Sequence, residues 1–293
     1  MPTSPRVPAS LAHAPFRGST AVAEGLLTKT MLRSPVWRRL LPDVYTHHEL
    51  PLDHRLWCTA IGLILPPGTA IGGPSAAHLW GAELLHPDPP VSVVAPRDAW
   101  MNRHPRVSTH HTVIGEGDLT VLHGLPVTTL ERTAFDLGRR LARVDSLILL
   151  DGMSALDVGA AAEMARQRFR WPETARLREV LGLVDSRAES PMETRLRLLM
   201  HDAGVPAPHP QFEVHDHRGR LIGRVDLGWP FAQVAAEYEG DHHRGRDQFR
   251  RDIARYSALR EAGWTVFQFT ANDVLRLPRQ TALRVAAELA RRS

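Results

Sequence analysis

The sequence predicts an α/β protein in two parts: a separate mixed α+β N-terminal domain and a C-terminal domain with a mixed sheet flanked by helices. Its 293 residues exceed the usual size of one domain. Residues 19–185 mix short helical and strand patterns, whereas residues 186–293 follow a regular αβββαβ order with helix added at the end. Residues 1–18 are rich in proline, alanine and serine, and we expect them to form a disordered tail.

Clear start and stop residues bound the C-terminal elements. Ser190 is a predicted helix N-cap, Pro191 occupies the first helical position and Glu193 the third, and Gly204 ends the helix. Beyond Gly204, apolar alternation between turn residues predicts strands over 211–215, 221–227 and 231–239, a helix over 246–262 and a strand over 264–269.

Composition excludes several classes of protein. Cys58 is the only cysteine, so an internal disulfide and a thiolate zinc cluster are ruled out. Lys29 is the only lysine, so no catalytic lysine can follow it. We expect no membrane span, because no apolar run reaches ~18 residues. Without a signal-peptide pattern at the N-terminus, we expect a cytoplasmic protein. The net charge of +4 permits contact with a polyanion.

Carboxylates interrupt two apolar strands of the C-terminal part. Asp226 follows Val225, while Glu237 and Glu239 follow an apolar run and share one face of their strand, because side chains alternate. Ionised carboxylates are costly to bury unless they are paired or bound to a metal. We therefore expect Asp226 and Glu237 to bind Mg²⁺ or Mn²⁺, and the chemistry to be phosphodiester hydrolysis. Glu193 either completes this acidic shell or serves only as a capping residue.

These residues resemble a known family. Helix-borne Glu193, then Asp226, then Glu237-x-Glu239 in an αβββαβ order resembles the PD-(D/E)xK nuclease superfamily and, more narrowly, the Vsr-like endonuclease domains. The resemblance covers about residues 187–276 and extends to His243, the Asp-x-x-Arg run at 252–255 and the Gly-Trp run at 263–264. It implies a restriction-endonuclease-like fold, a divalent cation and DNA as the substrate.

One position departs from the superfamily pattern. Glu239 stands where the superfamily carries a lysine, although the narrower family commonly has an acidic residue there. The task of orienting the attacking water therefore falls to Glu239 or to His243 as general base.

Arginines follow the acidic residues. We expect Arg244, Arg246 and Arg255 to contact phosphates beside the scissile bond. Two alternatives remain open: an ordinary exposed helix face, and, for Arg255, an ion pair with Asp252 three residues earlier.

The N-terminal part contains no catalytic constellation, but three of its motifs resemble the AbiEi-like type IV antitoxins over about residues 20–150. They are WRRLLPDVY at 37–45, GPSAAHLWG at 73–81 and LPVTTLERTAFDL at 125–137. The resemblance implies a winged-helix DNA-binding start, here reduced to a helix over 21–31 and the arginines after it. Lys29, Arg33, Arg38 and Arg39 could meet phosphates.

Two N-caps are predicted within these motifs. They are Ser75 and Thr129, and we expect Arg132 and Asp136 to lie on the exposed turn of the helix that follows Thr129.

The leading interpretation is a Mg²⁺-dependent, Vsr-like DNA endonuclease joined to an antitoxin-like domain. The rival is a non-catalytic, antitoxin-like DNA-binding regulator with a vestigial nuclease fold, which the missing lysine favours and the intact Asp226–Glu237 pair opposes. A homodimer and a partner toxin are both left open by the sequence.

Overall fold

The computed structural model describes residues 7–99, 104–240 and 246–292, the last range with side chains from residue 250 onward. Contacts divide the chain into two units, one comprising residues 1–137 and 155–169 and the other residues 138–154 and 170–293. Three sheets occur within the described ranges, and two of them contain both parallel and antiparallel pairs. The predicted α/β class is confirmed.

Helices and strands are numbered in chain order. Up to residue 167 they are β1 (Phe16–Arg17), α1 (Gly18–Ala23), β2 (Trp37–Leu41), β3 (Val44–His47), α2 (His54–Gly62), β4 (Ala70–Ile71), α3 (Gly73–Leu79), β5 (Val91–Ala95), β6 (Val107–His111), β7 (Leu119–Leu122), β8 (Leu125–Thr128), α4 (Leu130–Arg140), α5 (Arg143–Gly152) and α6 (Val158–Gln167). They continue as α7 (Thr174–Leu181), α8 (Pro191–Asp202), β9 (His209–His215), β10 (Leu221–Trp229), β11 (Val234–Tyr238), α9 (Arg246–Glu261), β12 (Thr265–Phe269), α10 (Ala271–Leu275) and α11 (Pro278–Arg292). Among the described helices, none has the length and apolar character needed to cross a bilayer.

The first unit contains two of the sheets. One has the order β1-β3-β2, and the other has the order β6-β5-β4-β8-β7. The predicted tail over residues 1–18 is not seen in its described part, because Leu11 and Phe16 are buried in a small core with Trp37. The predicted helix over 21–31 ends early: α1 stops at Ala23, and Gly25 adopts a φ of 72°.

Two polar expectations for this unit need correction. Arg132 and Asp136 do not lie on an exposed turn, since each side chain is only 1% exposed and they form an ion pair with each other. Arg132 also binds Asp118, so burial of these charges is balanced by pairing. Ser75 is not an N-cap: it lies inside α3, and its Oγ accepts the N–H of Ser92 on β5 at 2.8 Å. The hydroxyl thus ties the helix to the sheet.

The second unit contains the four-stranded sheet, ordered β12-β11-β10-β9. Strands β9, β10 and β11 form an antiparallel meander, and β12 joins β11 in parallel after the α9 crossover. Helix α8 begins as predicted, because Ser190 Oγ accepts the N–H of Glu193 at 3.2 Å. The αβββαβ order is therefore confirmed.

Strand β10 is longer than predicted. Gly228 and Trp229 do not break it but pair with Ala235 and Val234 of β11. Glycine is required at 228 because a Cβ there would lie 2.8 Å from the Cβ of Phe212. As a result, Asp226 lies within the strand and not at its end.

Asp151 on α5 anchors α8. Its carboxylate accepts hydrogen bonds from Thr194 Oγ1 at 2.8 Å, Arg197 Nη2 at 2.7 Å and the N–H of Asp185 at 2.8 Å. The domain boundary expected at 185/186 therefore differs from the division by contacts, which places residues 138–154 and 170–185 with the second unit. Because α8 carries Glu193, this anchor also positions one of the predicted site residues.

We expect Asp151→Ala to lower the free energy of unfolding by about 3 kcal/mol, because it leaves the largely buried guanidinium of Arg197 without its carboxylate. Urea denaturation followed by tryptophan fluorescence measures this. Asp145→Ala is the matched control: Asp145 is 40% exposed and lies 3.4 Å from Arg195, so a change within about 0.5 kcal/mol is expected. Equal losses in the two variants would contradict the anchoring role.

Candidate active site

Asp226 and Glu237 lie on the two central strands of the second unit's sheet. The antiparallel register pairs Leu227 with Ala236, so the next position sets Asp226 opposite Glu237. Asp226 Oδ2 accepts the backbone N–H of Tyr238 at 2.7 Å. The side chain of Asp226 thus ties the two strands together beyond their backbone ladder.

The environment of Asp226 disfavours its charged form. Burial raises the pKa of this carboxyl to about 7, and the negative charges of Glu193 and Glu237 add to the effect. The hydrogen bond from Tyr238 and the charge of Arg255 act in the opposite direction and are outweighed. Strong perturbation by desolvation together with neighbouring like charges is typical of functional sites.

Glu237, in contrast, has a cationic partner. Its side chain is only 6% exposed, and Arg255 on α9 binds both of its oxygens, with Nη1 at 2.6 Å from Oε1 and Nη2 at 2.9 Å from Oε2. This bidentate pairing raises the pKa of Arg255 above its already high ordinary value. The guanidinium therefore neutralises one carboxylate of the cluster.

Tyr256 connects Glu237 to Glu239. Its hydroxyl lies 2.5 Å from Glu237 Oε2 and 2.7 Å from Glu239 Oε1. A phenol has a single hydrogen to donate, so it cannot satisfy both carboxylates at once. Gln268 on β12 donates from Nε2 to the same oxygen of Glu239 at 3.0 Å. Burial, followed by the contacts to Glu237, raises the pKa of Tyr256, so its hydroxyl stays protonated.

Glu193 holds a structural position at the edge of this cluster. Its Oε2 accepts the N–H of Glu189 at 2.9 Å and the Nε2 group of Gln211 at 2.6 Å. Its charge nevertheless raises the pKa of Asp226. Glu193 therefore joins α8 to β9 and also contributes to the negative potential of the site.

Of the other predicted site residues, the structure describes the side chain of Arg255 but not those of His243, Arg244 and Arg246. His243 and Arg244 lie outside the described residues, as does the side chain of Arg246, whose backbone begins α9. Arg255 is not presented to a phosphate in this structure, because its guanidinium is bound to Glu237. The alternative pairing of Arg255 with Asp252 does not replace that contact, although the charge of Asp252 also acts on Arg255.

Sequence reasoning missed the role of Tyr256. Tyr256 stands at helical spacing from Ile253 and Leu259, a pattern that indicates an apolar helix face and gives no sign of a catalytic neighbour. A tyrosine hydroxyl on a buried helix face usually requires a polar partner, and that requirement was the available signal.

The carboxylates suit a divalent cation by chemistry and charge. Mg²⁺ and Mn²⁺ prefer hard oxygen ligands, and the cluster brings the carboxylates of Asp226, Glu237 and Glu239 together, with Arg255 bound to Glu237. The arrangement is not that of a preformed site: within residues 7–99, 104–240 and 246–292, no group of three or more His, Cys, Asp or Glu side chains has metal-binding geometry. A cation bound to Glu237 would have to share that carboxylate with Arg255 or displace it.

The chain is similar to two uncharacterized proteins of Mycobacterium tuberculosis, from strains CDC 1551 / Oshkosh and H37Rv. Each is 40% identical to it over 164 residues, which is 54% of this chain. The chain spans 60% of the length of these curated relatives. No family model matches the chain. No solved structure matches it.

We expect Asp226→Asn to stabilise the protein above pH 7 by about 2–4 kcal/mol, while preserving the acceptor for the Tyr238 N–H. The folded-state pKa of Asp226 is raised to about 7 from an ordinary value of 3.8, so its contribution to stability is present below pH ~4 and lost as the pH rises to about 7. Urea denaturation at pH 5 and pH 8 measures the difference. An asparagine variant that is less stable than wild type at pH 8 would contradict the assignment.

We expect Arg255→Gln to destabilise the protein, in contrast to Asp226→Asn. Removing the guanidinium leaves Glu237 nearly buried without a counter-charge, so we expect a loss of about 3 kcal/mol. The control is Arg250→Gln, an exposed arginine on the same helix, for which a change within about 0.5 kcal/mol is expected. Thermal and urea unfolding measure both variants, and matching stabilities would show that the Arg255–Glu237 pair is dispensable.

Proposed function

We propose that the second unit is a metal-dependent endonuclease that hydrolyses phosphodiester bonds of DNA, with Asp226 and Glu237 as the cation ligands. One observation carries the proposal. Asp226 lies beside Glu193 and Glu237 in a setting that raises its pKa to about 7, while Arg255 is bound bidentately to Glu237 and not to Asp226. A divalent cation would relieve this excess of negative charge more effectively than a single proton.

Each residue of the cluster has a separate task in this proposal. When bound, the cation would polarise the phosphodiester and favour loss of a proton from the attacking water. Glu239 is the candidate proton acceptor, because hydrogen bonds from Tyr256 and Gln268 to its Oε1 fix the orientation of its carboxylate. Arg255 fixes the orientation of Glu237, and His243 remains a second candidate for the general base.

Three features support a nucleic acid as the partner. The chain has a net charge of +4 and a pI near 9.9, which favours association with a polyanion. The resemblance to Vsr-like endonucleases favours DNA over RNA. In the first unit, the side chains of Lys29, Arg33, Arg38 and Arg39 are exposed and suit contact with phosphates.

The rival function is a non-catalytic, antitoxin-like DNA-binding regulator. Specific observations favour it: both oxygens of Glu237 are already bonded to Arg255, and Glu239 stands where the resembling superfamily has a lysine. On this alternative, Arg255 is a permanent replacement for the cation, and the acidic cluster is a remnant.

Cleavage of supercoiled plasmid with Mg²⁺ or Mn²⁺ separates the two functions. We expect nicking by the wild-type protein and a fall of about a hundredfold or more in Asp226→Ala, equivalent to ~2.7 kcal/mol of transition-state stabilisation. Glu213→Ala removes an exposed carboxylate from neighbouring β9 and should cleave at the wild-type rate.

Mismatched and branched duplexes extend the assay to a structure-specific nuclease. DNA binding without cleavage of any of these substrates would favour the regulator. Equal nicking by wild type and Asp226→Ala would assign the activity to a contaminant and overturn the catalytic proposal.

A further inference from the structure

The second unit also contains a cavity of about 530 Å³ that shares no lining residue with the acidic cluster. Helices α5, α8, α10 and α11 contribute to its walls. Most of the lining is apolar, including Leu198, Leu199, Val274, Ala282 and Ala286. Its volume falls in the range of small-molecule sites in proteins, roughly 300–1,000 Å³.

The apolar lining continues to the protein surface. Leu275 on α10 and Leu283 on α11 also line the cavity, and they are 53% and 59% exposed. Single exposed leucines need no explanation, but two of them at the same cavity leave apolar area that a ligand could remove from water. The cavity therefore offers favourable burial to an apolar group.

Positive charge accompanies this apolar surface. Arg195, Arg279 and Asp202 are the charged lining residues. Asp202 is neutralised by Arg143, whose Nη1 lies 2.7 and 2.8 Å from its two oxygens. Arg195 is only loosely paired, at 3.4 Å from Asp145. In the described part of the chain, no carboxylate lies within ion-pair distance of the exposed Arg279.

The N-terminus of α11 adds to the positive electrostatic potential at the cavity. This helix is 15 residues long, begins at Pro278 and has no acidic residue in its first turn. Pro278 and Arg279 both line the cavity. The positive end of the helix dipole therefore acts together with the guanidinium of Arg279.

We propose that this cavity binds a small amphipathic organic anion, with a carboxylate at Arg279 and Arg195 and an apolar chain along Leu198, Ala282 and Leu283. The combination of a largely apolar cavity with a few convergent polar groups is typical of small-molecule sites. Charge selects the class of ligand, since Arg279 has no carboxylate partner within the described residues and Arg195 is only loosely paired. The site is independent of the proposed catalysis, and a failure of one leaves the other intact.

Isothermal titration calorimetry on the full-length protein tests this site with three ligands. Together they distinguish the contribution of the charged head group from that of the apolar chain. They are decanoate, decyltrimethylammonium and acetate. We expect saturable 1:1 binding of decanoate, at least tenfold weaker binding of the cationic analogue with the same chain, and no measurable binding of acetate. Equal affinity for the two decyl compounds, or no saturable binding of decanoate, would overturn the proposal.

Two variants locate the site. Arg279→Gln should weaken decanoate binding about five- to tenfold, and Ala286→Leu should weaken it by filling the cavity. Arg218→Gln alters an exposed arginine in the β9–β10 turn and should bind like wild type. Because Arg279 is exposed, its variant should keep the wild-type unfolding temperature even if Ala286→Leu is poorly folded. Unchanged affinity in Arg279→Gln would exclude binding at this cavity.

Discussion

The pairing of Arg255 with Glu237 is the interaction on which the arrangement of the acidic site depends. A carboxylate that is nearly buried in a sheet requires a counter-charge, and here it comes from a helix that follows the strand in sequence. Docking of α9 through this pair places the neighbouring Tyr256 between Glu237 and Glu239. Among the described residues Asp226 has no ion-pair partner, and burial together with the charges of Glu193 and Glu237 raises its pKa.

Asp118 in the first unit and Asp226 in the second are both buried aspartates, but only the charge of Asp118 is balanced by bound arginines. In the first unit, Asp118 is bonded to Arg132 and Arg168, and these contacts together with the Gly115 N–H lower its pKa although burial acts to raise it. In the second unit, burial dominates at Asp226, and neighbouring carboxylates reinforce it. The Asp118 network has the electrostatics of a structural core, whereas Asp226 occupies a site that is less stable than it could be.

Much of the second unit could be predicted from sequence because its signals are local. Ser190, Gly204 and Gly263 bound helices through capping and chain-reversal preferences, and apolar alternation identified β9 to β12. The end of β10 was missed because a glycine at 228 is typical of a strand end, while its actual role is to allow the close approach of Phe212 from the neighbouring strand. That contact is long-range, and no local pattern encodes it.

The acidic residues were found for a similar reason, and their partners were missed. Asp226, Glu237 and Glu239 interrupt apolar strands, so the cost of burial marks them in the sequence. Whether Arg255 faces phosphate or Glu237, and whether Arg132 lies in solvent or in a core, depends on tertiary packing. The sequence around Arg132 predicts an exposed helix turn. Its side chain is buried instead, because it binds Asp118, which lies fourteen residues away in the chain.

Because no lysine follows residue 29, the response of the acidic cluster to pH near neutrality comes from a carboxyl and not from an amine. A guanidinium keeps its proton throughout the physiological range, and the contacts of Arg255 with Glu237 raise its pKa further. The hydroxyl of Tyr256 also stays protonated, because burial raises its pKa. Asp226, whose pKa burial raises to about 7, is the carboxyl of the cluster that changes charge near neutrality. Acidification therefore removes negative charge from the site, whereas a rise in pH through about 7 adds the charge of Asp226.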